Sequence, residues 1–272
     1  MPLRALSVWH RLRRLTLACV LNAGLCTAQA VEMADGIAVV TTAQGSIQIS
    51  AAQGQNFKPD LHQSLVLSGA TIESGDAGQL FMALSNGVGI GIHDGSELLV
   101  ERYQQRPFNA KQQSIRHEPS TSQLTLRLQH GMIALASNQL SPVSRLRIEL
   151  PHGAVRIHAG TCVLQCNEGE IQITASDSHS RFTYFAPDSS KGEFVVGPER
   201  LRVRATDNAI VVKIESITSA SLPADCALLA AATRLASQRV FFKASGAAPQ
   251  PVRIVAQDYW QQAAARPYEF NQ

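Results

Sequence analysis

The feature of this sequence that most limits its fold is the spacing of its turn residues, which interrupt short β-branched runs every seven or eight positions. Residues 153–174 show this most clearly. The runs there are 154–158, 161–166 and 170–174, separated by Ala159-Gly160 and Asn167-Glu168-Gly169. Glycine takes positive φ without steric cost, and asparagine tolerates it better than most residues. A chain that turns this often is predicted to be β-rich.

The same pattern recurs over residues 36–215, which we assign to one mainly β domain. Turn signals such as Asn86-Gly87 and His130-Gly131 separate its predicted strands. The long polar stretch 103–123 is predicted to leave the β body as an excursion. The interior is expected to be aliphatic, because Val, Ile, Leu and Thr dominate and only 6% of residues are aromatic.

The hydrophobic period changes from two to 3.6 near the end of the domain. It predicts one amphipathic helix over residues 224–242, within a segment 221–243, with Ser221 as its N-cap. The residues expected to face inward are Leu228, Leu235 and Phe242. We expect this helix to cap the C-terminal end of the β body or to lie along it.

Residues 244–272 are predicted to form an irregular tail, since they contain Pro249, Pro251 and Pro267. Their aromatic residues Tyr259 and Trp260 indicate that the tail docks, either as a strap across the β body or as a surface that a partner contacts.

The first thirty residues have the pattern of a secretory signal peptide. Four arginines precede an apolar segment over 15–26, and Ala28-Gln29-Ala30 is a small-residue cleavage site. The apolar segment is shorter than the ~20 residues that a membrane span requires. We therefore expect cleavage before Val31, a periplasmic or secreted product, and no membrane span after cleavage.

Removal of this segment changes the sign of the net charge. Four of the 24 Lys and Arg residues lie in it, and none of the 21 Asp and Glu residues does, so the remainder has a formal charge of −1. The overall basicity therefore gives no electrostatic reason to expect a nucleic-acid partner.

Three cysteines remain: Cys162, Cys166 and Cys226. If Cys162 and Cys166 share one extended strand, their Cα atoms lie ~13 Å apart, too far for a disulfide. The thiols are interpreted as small buried hydrophobes, and a disulfide from either one to Cys226 remains an alternative.

No motif nominates a catalytic, cofactor-binding or metal-binding residue. Gly87-x-Gly89-x-Gly91 is misplaced for a dinucleotide site, and a strand follows it where a helix is required. We interpret these glycines as allowing close approach between strands. His93, Asp94 and Ser96 are triad residue types, but neighbours along a strand do not place a nucleophile beside its base.

The remaining candidates are interpreted as surface groups. Glu168 and Glu170 flank a tight turn, and His152 and His158 would share a side only if one strand ran through both. No further Cys or His stands at the spacing of a zinc site, so no cofactor or metal is predicted.

Several elements in order resemble the FecR-type domain, the periplasmic domain named for the iron-citrate signal transducer. They are residues 36–50, 93–98, 128–133, 150–153, 160–164 and 168–173. The resemblance spans most of the chain after the signal segment. It implies a short β-solenoid-like stack with glycines at its corners. We expect no counterpart of the cytoplasmic anti-sigma segment and membrane helix of the transducers, and this departure argues against classical iron signalling.

The resemblance favours a non-catalytic, exported binding, sensing or scaffold module of the cell envelope. Its partner would be an envelope protein or glycan that the sequence does not specify, and its oligomeric state is open. The alternative is an enzyme that acts on envelope polysaccharide, which would require two carboxyl groups to converge from distant strands.

Overall fold

The computed structural model confirms a mainly β fold with one C-terminal helix. It describes residues 32–108, 117–137, 140–187, 189–206, 209–218, 221–245 and 248–254. The predicted signal segment and the aromatic residues of the tail lie outside these ranges. Among the described residues, no helix has both the length and the apolar character needed to cross a membrane.

Nineteen strands and one helix, here called α1, form the described structure. The strands are β1 Ala34–Asp35, β2 Ile37–Gln44, β3 Ile47–Ser50, β4 Asn56–Phe57, β5 Ser64–Val66, β6 Ala70–Ser74, β7 Gln79–Leu84, β8 Gly89–Ile92, β9 Ser96–Gln105, β10 Ser122–Ser137, β11 Arg145–Leu150, β12 Gly153–Asn167, β13 Glu170–Ala175, β14 Arg181–Phe185, β15 Gly192–Val196, β16 Glu199–Thr206, β17 Ala209–Ser216, β18 Val240–Ser245 and β19 Ala248–Ile254. The helix α1 spans Ala224–Gln238.

Two open sheets make up the β body. Sheet A has the order β4-β3-β6-β9-β10-β11-β12-β14-β15, and β1 pairs with the end of β9. Sheet B has the order β5-β2-β7-β8-β10-β12-β13-β16-β17. In both sheets the spatial order of the strands nearly follows their order in the sequence, as in a stack of coils. Within the described residues only β10 and β11 pair in parallel.

The long strands β10 and β12 belong to both sheets, and each bends at a glycine of positive φ. Gly131 has φ 92° and Gly160 has φ 81°. A Cβ at Gly160 would lie 2.4 Å from the Cα of Ser180, so only glycine fits there. The predicted turns at these two positions are therefore wrong in one respect. The chain does not reverse but continues as one strand from sheet A into sheet B.

The main core lies between the two sheets and is aliphatic, as predicted. Alternate residues of many of the strands fill it, for example Leu124, Leu126 and Leu128 of β10, which are almost completely buried. Its few large aromatic side chains include Tyr103 and Phe182. Tyr103 lies in β9, which continues through Gln105. The excursion predicted over residues 103–123 therefore begins later than expected.

The helix lies along the outer face of sheet B, which is one of the two predicted positions. Its buried residues are Cys226, Leu229, Ala230, Thr233 and Ala236. They pack on Phe81, Met132, Ala134 and Val163 from β7, β10 and β12. Strands β7 and β8 of sheet B have apolar residues on the outer face as well as on the core face. A covering element is therefore needed to bury the outer face.

The inward face of the helix differs from the prediction. Leu228 is 69% exposed, Leu235 is half-buried, and Phe242 lies on β18, where it packs with Val39 and Ala83. Small residues face the sheet because the backbones approach closely at Gly89 and Gly91. A Cβ there would lie 2.4 Å from Thr233 O and 2.1 Å from Thr233 Oγ1, respectively.

The helix begins at Ala224, as predicted, but its cap and its end differ from the prediction. Ser221 does not cap the helix, since its hydroxyl donates to Thr218 O at 2.8 Å. The helix ends at Gln238 because the β-branched and aromatic run that starts at Val240 favours a strand. The tail begins as the β18–β19 hairpin and not as an irregular segment.

The three cysteines are free thiols on two sides of one sheet. Cys162 and Cys166 face the core between the sheets, whereas Cys226 packs against Met132 on the outer face of sheet B. A disulfide from Cys226 would have to pass through the sheet. Burial raises the pKa of all three thiols, which is consistent with their interpretation as small buried hydrophobes.

Candidate functional site

Two adjoining cavities form a cleft at the bend of β12, and we call it the β12 cleft. Their volumes are about 1040 Å³ and about 250 Å³, and both are lined by Ser137, Gly160, His179 and Gln238. Four segments build the walls: the residues around the β10–β11 connection, β12 at its bend, the β13–β14 connection and the C-terminal turn of α1. The larger cavity is of the size that ligand pockets usually have.

The β12 wall is irregular because the strand changes sheets there. The register of its pairing with β14 shifts between Ile157 and Ala159, which leaves His158 in a bulge. The His158 Nε2 lies 2.9 Å from Thr183 Oγ1. Its ring lies 5.9 Å from that of Phe194 at 51°. The bulge therefore places His158 at the cleft, where it contacts the cross-strand pair Thr183 and Phe194.

A buried serine fastens the β13–β14 connection to this bend. The Ser180 Oγ accepts from Thr161 N at 2.9 Å and lies 2.7 Å from Thr161 O. It also lies 2.9 Å from Asp177 Oδ1, which accepts from His179 N at 2.9 Å. Asp177 and His179 are thus fixed at the cleft mouth by the backbone of β12.

The opposite wall is attached to the protein interior through Glu118. The Glu118 Oε2 accepts from Ser141 N at 3.0 Å, and the other carboxyl oxygen accepts from the Ser122 hydroxyl. The Ser122 N donates to Ser144 Oγ at 2.9 Å, and Ser122 Oγ accepts from Asn86 Nδ2 at 3.0 Å. Burial raises the pKa of the Glu118 carboxyl, while its hydrogen bonds act to lower it.

Positive charge dominates the cleft. Arg156, Arg181 and Arg234 line it together with one carboxylate, Asp177. Arg234 Nη2 lies 3.8 Å from Asp177 Oδ2, which links α1 to the β13–β14 connection. Burial, with the charge of Arg156, lowers the pKa of His158, so this imidazole is neutral at neutral pH. The positive charge therefore comes from the arginines.

A second and smaller cavity, of about 240 Å³, lies on sheet A. Glu73 of β6 and Glu97 of β9 are directly opposite each other there, and both line the cavity. His130 Nδ1 lies 3.7 Å from Glu97 Oε2. Two carboxyl groups from different strands therefore line the same cavity, which is one requirement of a catalytic carboxyl pair.

The residues weighed from the sequence are not brought together. His93 contacts Asp94, but the buried Ser96 Oγ accepts from Met132 N at 2.9 Å and lies 3.1 Å from Met132 O. The Ser96 hydroxyl therefore holds the backbone of β10. Glu170 pairs with Arg204 at 3.0 Å, while His152 lies in the β11–β12 turn and His158 lies in the bulge of β12.

Within the described residues, no group of three or more His, Cys, Asp or Glu side chains is placed to hold a metal ion. The β12 cleft was not predicted from the sequence. Its arginines belong to β12, β14 and α1, and no spacing in the sequence connects them.

No family model matches the chain, and no curated protein matches it. Two solved structures, both crystal structures of candidate anti-sigma factors from Parabacteroides distasonis, resemble it at low identity. The first has a TM-score of 0.38 and 11% identity, with 54% of this chain and 60% of that chain covered, so the match spans less than two thirds of that structure. The second has a TM-score of 0.39 and 8% identity, with 73% of this chain and 91% of that chain covered. At these values neither likeness defines a family for the chain.

Proposed function

We propose that this protein is a non-catalytic, FecR-like module exported to the cell envelope, and that it binds a ligand in the β12 cleft. The observation that carries the proposal is the cleft itself. It is large and built from four segments, and two of these, the β10–β11 and β13–β14 connections, are held by hydrogen bonds to Glu118 and from Thr161 to Ser180. A cleft held in this way is preorganised, so binding a ligand costs little ordering of the protein.

The elements that resemble a FecR-type domain consist of strand segments with glycines at or near their ends or bends. Six of their seven glycines have positive φ, the exception being Gly36; the six are Gly45, Gly95, Gly131, Gly153, Gly160 and Gly169. These glycines are therefore required by the backbone, and they support the resemblance at the level of the fold. The charged cleft residues Arg181 and Arg234 lie outside those elements. The resemblance therefore does not indicate the ligand, which has to be inferred from the side chains of the cleft.

The alternative function, an enzyme that acts on envelope polysaccharide, has one observation in its favour, the facing pair Glu73 and Glu97. The two functions give different results with purified envelope polysaccharide and peptidoglycan. If the protein is a binding module, it binds the polysaccharide, its Tm rises when the polysaccharide is added, and no reducing ends are released. Release of reducing ends that Glu97→Gln abolishes would establish the enzyme and overturn the proposal.

The location is tested separately. Cell fractionation of the native producer should recover the protein outside the cytoplasm, with Val31 at or within a residue or two of its N-terminus. A cytoplasmic product that retains Met1 would contradict the export part of the proposal.

A further inference from the structure

We propose that the β12 cleft binds an acidic oligosaccharide, with Arg156 and Arg181 holding its carboxylates and Phe194 stacking on a sugar ring at the rim. The inference rests on the proposed function, because it names the class of ligand for the same cleft. It is carried by three observations: unpaired positive charge, a surplus of neutral hydrogen-bonding groups, and an exposed aromatic ring beside His158.

The first observation is that the charge of the two arginines is not compensated. Among the described residues, neither Arg156 nor Arg181 has a carboxylate within ion-pair distance. Arg181 Nη1 donates only to the carbonyl of His179 at 3.0 Å. Arg156 stands opposite Arg147 across the β11–β12 pairing, and Arg147 is already paired with Glu149. Elsewhere on the same body, arginines such as Arg127 and Arg204 are paired with glutamates.

Uncompensated guanidinium groups in a cleft favour an anionic ligand. Guanidinium forms charge-assisted, bidentate hydrogen bonds with carboxylates, and these are stronger than bonds between neutral groups. Asp177 does not cancel this attraction, because it is engaged with Arg234 at the far side of the cleft. Two arginines thus remain for the ligand.

The second observation limits how much negative charge the ligand carries. The C-terminal turn of α1 lines the cleft through Ser237 and Gln238. A helix C-terminus carries about half a negative charge on its free carbonyl groups, which disfavours a phosphate-dense polyanion and accepts hydroxyl donors. The side chains of Ser141 and Gln238 add further neutral partners. One carboxylate per ring among many hydroxyls, as in a uronic acid oligomer, meets these requirements.

The third observation is the exposed ring of Phe194. It is 56% exposed on the outer face of sheet A, and Phe194 is paired with Thr183, the residue that contacts His158. The face of an aromatic ring is electron-rich and attracts C–H groups, such as those on the flat side of a sugar. The neutral His158 ring continues this surface into the cleft. A sugar ring stacked on Phe194 would direct its neighbours toward Arg156 and Arg181.

The test uses tetragalacturonate and a hyaluronan tetrasaccharide as probes, with fully methyl-esterified tetragalacturonate as the uncharged match. Calorimetry should show binding of at least one acidic probe, weakened by salt and at least about 10-fold tighter than binding of the ester. Arg156→Gln and Arg181→Gln should each weaken it by about 10-fold or more. Phe194→Ala should weaken both the acid and the ester.

Arg127→Gln is the matched control, since Arg127 is on sheet A, paired with Glu101 and outside the lining of the cleft. It should leave the affinity unchanged. The inference would be overturned if the acidic probe and its ester bound with equal affinity, or if the Arg156→Gln/Arg181→Gln double variant kept the full affinity for the acidic probe. It would also be overturned if pyrophosphate competed for the cleft as well as the acidic probe does. If neither acidic probe binds while the protein still retains an envelope preparation, the proposed function stands and the acidic oligosaccharide is excluded.

Discussion

Glu118 connects the wall of the β12 cleft to the protein interior through one carboxyl group, and this makes the stability of the protein depend on pH. Its pKa is raised in the folded state, chiefly by burial. The folded protein therefore holds this proton more tightly than the unfolded chain does. The stabilising contribution is complete below the ordinary pKa of a glutamate and is lost as the pH rises through the higher folded value.

We predict that Glu118→Gln gains stability relative to the wild type as the pH rises above the ordinary glutamate value. The amide stays neutral and keeps an oxygen that can accept from Ser141 N. Thermal unfolding from about pH 4 to about pH 8 would measure the difference in Tm between the two proteins. Glu193→Gln, at an exposed glutamate, is the control and should show no such trend. A Tm difference that is constant with pH would contradict the role given to Glu118.

At the residue scale, the sequence predicted backbone conformations better than side-chain sites. Glycines at turn signals could be recognised because positive φ is a local requirement, and Gly160 and Gly169 both have it. Arg156, Arg181 and Arg234 could not be recognised as a group. Their proximity depends on the bulge in β12 and on the docking of α1, and both are products of tertiary packing.

At the scale of elements, the contact between α1 and β8 depends on the absence of two side chains. Gly89 and Gly91 lie beneath Thr233, which donates to Leu229 O at 2.7 Å and is completely buried. An added methyl group at either glycine overpacks this contact, which typically costs about 1–3 kcal/mol.

We predict that Thr233→Ala relieves the destabilisation caused by Gly91→Ala but not that caused by Gly89→Ala. A Cβ at Gly91 meets the side-chain oxygen of Thr233, so Thr233→Ala should recover part of the stability lost in Gly91→Ala. A Cβ at Gly89 meets the backbone oxygen of Thr233, which Thr233→Ala leaves in place. Double-mutant cycles from denaturant unfolding would measure the two couplings. Equal couplings at Gly89 and Gly91 would show that Thr233 Oγ1 is not the limiting contact.

The sequence contains an indication of this packing in a strand that is apolar at every position and does not alternate. Strands with one exposed face alternate, as residues 124–128 do, but the run Phe81-Met82-Ala83-Leu84 is apolar throughout. Continuous apolar strands are buried on both faces and need a covering element. The glycines of β8 pointed to close approach, and the element that approaches is the helix and not only a neighbouring strand.

At the scale of the whole molecule, the two-sheet stack places its apolar outer face on the N-terminal half of sheet B and its charged face on the other half. The helix and β18 cover the first, through Leu229, Ala230 and Phe242. The second carries ion pairs such as Arg202 with Glu215 at 2.9 Å. The strands and the helix could be predicted from periodicity, and their arrangement as a stack was what the resemblance to a FecR-type domain implied. The face of the helix that packs on sheet B could not be predicted, because it depends on which residues of the helix are small.

The position of the helix gives a prediction about the state of the whole protein. Ala230→Glu places a carboxylate among Phe81, Met132 and Val163, where it has no room and little water. Burying an unpaired charge is strongly unfavourable, so the helix should separate from sheet B at a cost of about 3 kcal/mol or more. The exposed apolar face should then drive self-association, which sedimentation velocity and apolar-dye fluorescence would detect.

Leu228→Glu is the matched control, since it adds the same carboxylate two residues away on the exposed side of the helix. It should leave the Tm and the monodispersity of the protein unchanged. A chain that ends at Thr218 should behave like Ala230→Glu and retain a β-dominated circular dichroism spectrum, because β1 to β17 precede that point. The opposite order, with Leu228→Glu aggregating and Ala230→Glu remaining monodisperse, would mean that Leu228 faces the sheet, as its hydrophobicity alone had indicated.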